Sequence, residues 1–303
     1  MEGTGEPDSR EKETAQAKVT AWATHLLHLS RVYTGRDMDP FLHLGHLNIP
    51  TFGLMLWLAA VAAALLMDRS FRREGIHADA VGIVAVALVA GLVGAKLWHV
   101  LDTPIEFREE GWQVLWDTAG FAWYGGVVFG ISALLLQGWR AKIGPLRTLD
   151  LAAPSAAVGY GIGRIGCFLS GDGCYGIPTH LKWPLGMSFP NGIVPTPPGV
   201  RVLPTPLFEL GTGLLIGWWL WRRAGKPHAV GLITGEYLAL SGLARFLVEF
   251  VRRNPKVLWG LSNAQLASLG AMVAGLALAL WAARRPLDRP LRTESAPAVE
   301  KPA

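Results

Sequence analysis

Four ionisable side chains stand out within or near the ends of long apolar stretches: Lys96, Arg164, Arg245 and Glu249. A cation at the centre of a membrane helix costs about 3 kcal/mol on insertion scales, so such groups are usually functional or paired. Lys96 also has a structural reading, its stem reaching along the helix to the interface. Arg164 stands in GYGIGRIGCFLSG, where glycines let backbone and ligand approach closely. Ser241, Arg245 and Glu249 recur at helical spacing and share one face, which also allows Arg245 and Glu249 a purely structural pairing. Two guanidiniums meeting at one point suit an anion, held by forked, charge-assisted hydrogen bonds. In a bilayer the plentiful anion is a phospholipid phosphate.

Other candidates carry less chemistry. His25 with His28 and His43 with His46 have helical spacing, but they lack the third ligand and acidic partner of a catalytic metal site. Cys167 and Cys174 are the only cysteines, which excludes a disulfide framework and a CxxC metal site; they read as a buried small residue and a loop residue. The glycines of GYGIGRIG follow no strand, so a dinucleotide fingerprint fails its context and close helix packing fits better. No metal or cofactor is expected.

The elements that must position these residues are membrane helices. The chain has 303 residues, 51% hydrophobic and only 17% charged, where soluble domains carry about a quarter charged. Its 36 glycines and 13 tryptophans point the same way. The formal charge of +5 is spread in short clusters between apolar runs, an orientation signal rather than a nucleic-acid surface. Seven apolar stretches, at about 51–67, 80–101, 119–139, 148–168, 205–221, 229–251 and 261–283, approach or exceed the roughly 17–25 residues that cross a bilayer. The expected fold is an all-α polytopic membrane protein with about seven transmembrane helices over 51–284. Residues 1–20 read as a polar tail without signal-peptide character, 21–50 as an interfacial helix and loop, and 285–303 as a cytoplasmic tail.

Lys and Arg in the short loops set the orientation. Arg69, Arg72 and Arg73, then Arg140, Lys142 and Arg147, then Arg222, Arg223 and Lys226 belong inside, with the amino terminus outside and the carboxyl terminus inside. One loop departs from this: Arg252, Arg253 and Lys256 face outward. Helices four and six then both run outward, which puts Arg164 and Arg245 in the outer half of the membrane. The long Pro- and Gly-rich segment 169–204 is expected to fold as a small outer cap between helices four and five.

At GRIGCFLSGDGCYG (163–176) the chain resembles the prolipoprotein diacylglyceryl transferase family, whose signature runs Gly-Arg-hydrophobic-Gly-Asn-Phe into a Gly-rich stretch. DPFLHLG and FGLM resemble its opening, GAKLWHVL its second helix, WYGGVVFG its Gly-Gly motif, PTPLFE its Pro-Thr-Pro motif, LSGLARFLVEFVR its sixth helix and LSNAQL the start of its last. The resemblance spans roughly residues 39–283. It implies transfer of the diacylglyceryl group of phosphatidylglycerol to the lipobox cysteine of a preprolipoprotein, in a bacterial inner membrane, with a thioether formed and glycerol phosphate released.

By resemblance Arg164 and Arg245 are functional arginines and Gly176 a functional glycine, with Tyr124 the third catalytic candidate. Lys96, Gly125, Gly126, Ser241 and Glu249 join Gly176 as substrate-binding candidates. The chain departs from the family at Tyr124, where a His is common, at Ser241 and Phe52, where Tyr is usual, and at Cys167, where Asn follows the signature Gly. The rival reading is a catalytically silent relative that binds anionic phospholipid or lipoprotein precursors.

Overall fold

The computed structural model describes residues 40–116 and 120–287. Among these, seven helices have 17 residues or more: α1 Thr51–Arg73, α2 Ala80–Asp102, α3 Trp123–Arg140, α4 Pro145–Ser170, α5 Thr205–Ala224, α6 Leu232–Val248 and α7 Asn263–Ala283. Three of them, α1, α2 and α7, are long and apolar enough to cross a membrane on length and composition alone. The protein is thus mostly helical, with membrane-spanning elements. Large apolar side chains such as Trp57, Val89, Leu215 and Val273 stand exposed on the helix surfaces, which suits a lipid surrounding and would be costly in water.

The helices begin and end where local chemistry directs. Asp79 caps α2 by accepting from the Gly82 amide at 2.8 Å. Ser262 and Gln265 form a reciprocal capping box at the start of α7. Pro145 opens α4, and Gly171, in a left-handed conformation at φ 58°, closes it. Helix α1 runs past the apolar limit at residue 67 to Arg73. Met67 and Phe71 are buried in a cluster with Ile83 and Leu151, while Asp68 and Arg72 pair at 2.8 Å on the outer face, so amphipathic packing extends it.

Four helix pairs carry most of the packing: α1 with α4, α4 with α5, α2 with α3, and α6 with α7. The α2–α3 contact shows how close they lie. A Cβ on Gly125 would meet the Gly94 carbonyl oxygen at 2.2 Å, so only glycine permits that approach.

The three basic loops meet at one end of the bundle. Arg73, Arg147 and Lys226 line a cavity of about 540 Å³ together with Glu74, Asp150 and His228. Arg147 pairs with Glu74, and Arg73 donates to the Trp221 carbonyl at 3.1 Å. Asp150 locks α4 to the start of α6 by accepting from the amides of Gly231 at 2.6 Å and Thr234 at 2.7 Å.

Among the described residues, two short hairpins lie outside the helices. Strands β1 Phe41–Leu44 and β2 Leu47–Pro50 pair in antiparallel register, so the end of the expected loop over 21–50 is ordered as a hairpin. His43 bonds Asn48 across it at 2.6 Å. The 1–20 tail, His25, His28 and residues 288–303 lie outside the described residues. Strands β3 Lys256–Leu258 and β4 Leu261–Ser262 form the second hairpin, leading into α7.

Candidate active site

The end of the bundle opposite the basic cavity collects the charges singled out above. The last turns of α4 carry Tyr160 and Arg164, the second turn of α5 carries Glu209, the last turn of α6 carries Arg245, and the short 3-10 turn after it carries Glu249. The chain then turns outward at Arg252. Glu209 is the hub. Its carboxylate lies 3.4 Å from Arg164 Nε, 3.9 Å from Arg245 Nε and 3.1 Å from Arg252 Nη1, and it accepts from the Tyr160 hydroxyl at 2.8 Å. Arg164 Nη2 in turn donates to the Tyr160 oxygen at 2.9 Å.

Glu249 forms a second node. It pairs with Arg245 at 2.5 Å and Arg252 at 3.8 Å, and accepts from Ser262 at 2.7 Å and Asn254 at 2.6 Å. Both carboxylates are buried, at 2% and 1% exposure, whereas the side chains of Arg164 and Arg245 remain 18% and 25% exposed. The two carboxylates therefore hold the arginines in place, while both guanidinium side chains stay partly exposed. Three guanidiniums against two carboxylates leave a site that favours an anion.

Arg164, Arg245 and Glu249 are thus brought together as the sequence suggested. Glu209, Tyr160 and the site role of Arg252 were missed. Glu209 sits in PTPLFE at the mouth of the fifth apolar stretch, so the rule that singled out Lys96 applied equally to it. Arg252, from the loop that departs from the orientation rule, is bound to Glu209 and Glu249.

Gly176 holds the 169–204 segment against this cluster. Its amide donates to the Leu203 carbonyl at 2.8 Å, and the following Ile177 amide donates to Val251 O at 2.9 Å, so the segment lies alongside Arg252. A Cβ on Gly176 would meet Val251 O at 2.4 Å and Thr205 Cγ2 at 2.8 Å. Gly176→Ala should therefore push the Val251–Arg252 backbone away, at roughly the 1–3 kcal/mol of an overpacked core. The expected result is a lower melting temperature together with reduced activity; an unchanged melting curve would count against this role. The segment itself folds around buried Tyr175, Met187, Phe189 and Val202, with the Tyr175 and Phe189 rings stacked at 5.2 Å.

The remaining candidates lie elsewhere or are otherwise engaged. Lys96 does not reach out to solvent: it is buried at 7% exposure with its ammonium 4.9 Å from the Phe121 ring centroid. Tyr124 is half exposed at the start of α3, its ring edge-on to Trp123 at 5.4 Å. Gly125 and Gly126 belong to the α2–α3 contact, where Gly125 is the tighter of the two. Ser241 donates back to the Tyr237 carbonyl of its own helix at 2.6 Å. Cys167 and Cys174 come together beside Arg164, whose Nη1 donates to their sulfurs at 3.7 and 3.9 Å.

Fold and site together define a helical membrane protein with a buried cluster of three arginines and two carboxylates. A profile of the prolipoprotein diacylglyceryl transferases matches residues 40–281, and the chain belongs to that family. It is 31% identical over 243 residues to a phosphatidylglycerol–prolipoprotein diacylglyceryl transferase of Clostridium tetani, covering 79% of this chain and 96% of that one. Proteins of the same name from Geobacter sulfurreducens, 32% identical over 82% of this chain and 96% of theirs, and from Leptospira interrogans, 32% identical over 68% and 72%, are also similar.

Proposed function

We propose that this chain transfers the diacylglyceryl group of phosphatidylglycerol to the lipobox cysteine of a preprolipoprotein, with Arg164, Arg245 and Arg252 receiving the phosphate. The single observation that carries this reading is the convergence of the three guanidiniums on Glu209 in a family member. The cysteine sulfur bonds to the glycerol carbon, the carbon–oxygen bond to phosphate breaks, and glycerol phosphate leaves. Fixed cations at the departing phosphate act more strongly in a partly dry site than in water.

The thiolate is the cheaper requirement. Ionising a free thiol of pKa about 8.5 at pH 7 costs roughly 2 kcal/mol, against roughly 4 kcal/mol for a tyrosine of pKa about 10. Tyr124 therefore serves as a hydrogen-bond donor to phosphate or sulfur, not as a resting base. Lys96, Gly125, Gly126, Gly176, Ser241 and Glu249 are the proposed substrate-binding residues. The half-exposed position of Tyr124 at a helix start requires substrate to extend along α3. Tyr124→Phe should lower turnover about ten- to a hundredfold, matching the roughly 1–3 kcal/mol lost with one hydrogen bond to a buried polar partner. An unchanged rate would remove Tyr124 from the site.

The proposed topology has seven transmembrane helices, the amino terminus and the 169–204 cap outside, and the carboxyl terminus inside the bacterial inner membrane. The clustering of Arg73, Arg147 and Lys226 at one end supports it. A cysteine introduced at Arg72 should resist impermeant maleimide in intact cells, and labelling there would reverse the orientation. The function itself is tested by complementation: expression of this chain should restore growth and lipoprotein modification in a bacterium depleted of its own diacylglyceryl transferase. A well-expressed, correctly inserted chain that leaves the lipoprotein precursor unmodified would refute the assignment.

A further inference from the structure

Helix α4 ends at Ser170, and the chain doubles back at once. Gly171 adopts the left-handed conformation, Asp172 accepts from the Cys174 amide at 3.0 Å, and Gly173 follows at φ 84°. This tight reversal returns Cys174 onto the last turn of the helix, against Cys167. The sulfur atoms of both cysteines and a carboxylate oxygen of Asp172 lie within 4.8 Å of one another. Both thiols are free. The segment is pinned from several sides: Thr205 donates to the Cys174 carbonyl at 2.6 Å, and the amides of Ile193 and Val194 donate to Ser170 O and Gly171 O at 3.0 and 2.9 Å. Neither sulfur needs a large backbone movement to meet the other.

The surroundings choose among the uses of such a pair. A cation would sit beside the Arg164 guanidinium, which already donates to both sulfurs, and beside Arg252, so metal binding is opposed. The same positive field favours a thiolate. Cys174 is lowered to about 7, first by the hydrogen bond from the Cys167 thiol and, against burial and Asp172, by Arg252. Cys174 is also the accessible member, partly exposed where Cys167 is buried. An attacking thiol with a pKa near ambient pH is close to optimal for thiol–disulfide exchange.

We propose that Cys167 and Cys174 form a redox-active dithiol site that closes to a disulfide by exchange with a disulfide-bearing oxidant and reopens with a thiol reductant. The Cys174 thiolate attacks one sulfur of the oxidant, breaking its disulfide, and the departing thiolate takes up the proton that Cys174 lost. The Cys167 sulfur then attacks Cys174 and expels the second half of the oxidant as a thiolate, which takes up the Cys167 proton. Two electrons and two protons pass to the oxidant, and one sulfur–sulfur bond joins the end of α4 to the outer segment. The site rests on the proposed orientation only for its cellular oxidant, since the outer side of a bacterial inner membrane is oxidising.

The test uses purified full-length protein in detergent, so it does not depend on orientation or on transferase activity. The reduced protein is equilibrated with oxidised glutathione, denatured, alkylated with N-ethylmaleimide and digested with trypsin. Both cysteines lie in one tryptic peptide, residues 165–182. Oxidised protein should yield this peptide two hydrogens lighter and unalkylated, and added dithiothreitol should restore two alkylation sites. Cys167→Ser, which removes the resolving thiol, should instead accumulate glutathione on Cys174. Two alkylated cysteines after oxidation, or glutathione left on Cys174 of the parent protein, would overturn the proposal.

Discussion

Replacing Glu209 with glutamine should lower transfer activity by about two to three orders of magnitude, the largest effect expected of any residue that is not itself a cation. The side chain keeps its size but loses the charge that gathers Arg164, Arg245 and Arg252. Removing one partner of a buried ion pair costs about 3–5 kcal/mol, and here three guanidiniums then repel one another while Glu249 still pairs with Arg245 and Arg252. Glu209 acts through the arginines, so it is a positioning residue. Its loss should therefore raise KM for phosphatidylglycerol as well as lower kcat, and Glu209→Asp should recover part of both. A Gln variant with unchanged kcat/KM would show that the arginines hold their places without it.

Arg164→Gln and Arg245→Gln should each remove most activity, roughly a hundred- to a thousandfold, the range seen when one fixed electrostatic donor is taken from a transition state. Membrane insertion should survive, because Tyr160 and Glu249 keep other partners, in Glu209 for the first and in Ser262 and Asn254 for the second. Lysine at either position restores the charge without the planar fork and should rescue only partly. Activity assays on detergent-solubilised variants, matched for yield and melting temperature, separate lost chemistry from lost folding. Full activity in either Gln variant would remove the proposed phosphate clamp.

The helical pattern was legible because long apolar runs leave little else to form, and the seven long helices fall within or overlap the seven stretches read from hydropathy, whereas the short helix Pro104–Glu110 lies between two of them. Helix ends were less legible. The extension of α1 to Arg73 depends on burial of Phe71 against residues such as Leu151, which lies far along the chain. Arg164 and Arg245 stood out because a charge in an apolar run is locally visible. Their shared partner Glu209 was passed over because it lies near the start of its helix, where a carboxylate is ordinary. The approach of Cys174 to Cys167 depends on a reversal built from Gly171 and Gly173. Turn chemistry was readable there, but the direction of return was not. The hairpin over Phe41–Pro50 carries four-residue strands, too short for alternation to register.

The surplus of one positive charge in the Glu209–Glu249 cluster bears on how the proposed reaction would cycle. Phosphatidylglycerol presents a phosphodiester with one negative charge, which the surplus neutralises. Its departing half is a phosphomonoester with a second pKa of about 6, so near neutral pH it carries close to two charges. One added charge about 4 Å from a guanidinium is worth about 4 kcal/mol at an effective dielectric constant of 20, before water at the partly exposed Arg164 and Arg245 reduces it. The site then grips its leaving group harder than its lipid. Escape of glycerol phosphate, not thioether formation, should therefore limit the cycle, with a rapid first turnover followed by a slower steady rate as the expected signature; a linear time course from the first turnover would exclude it.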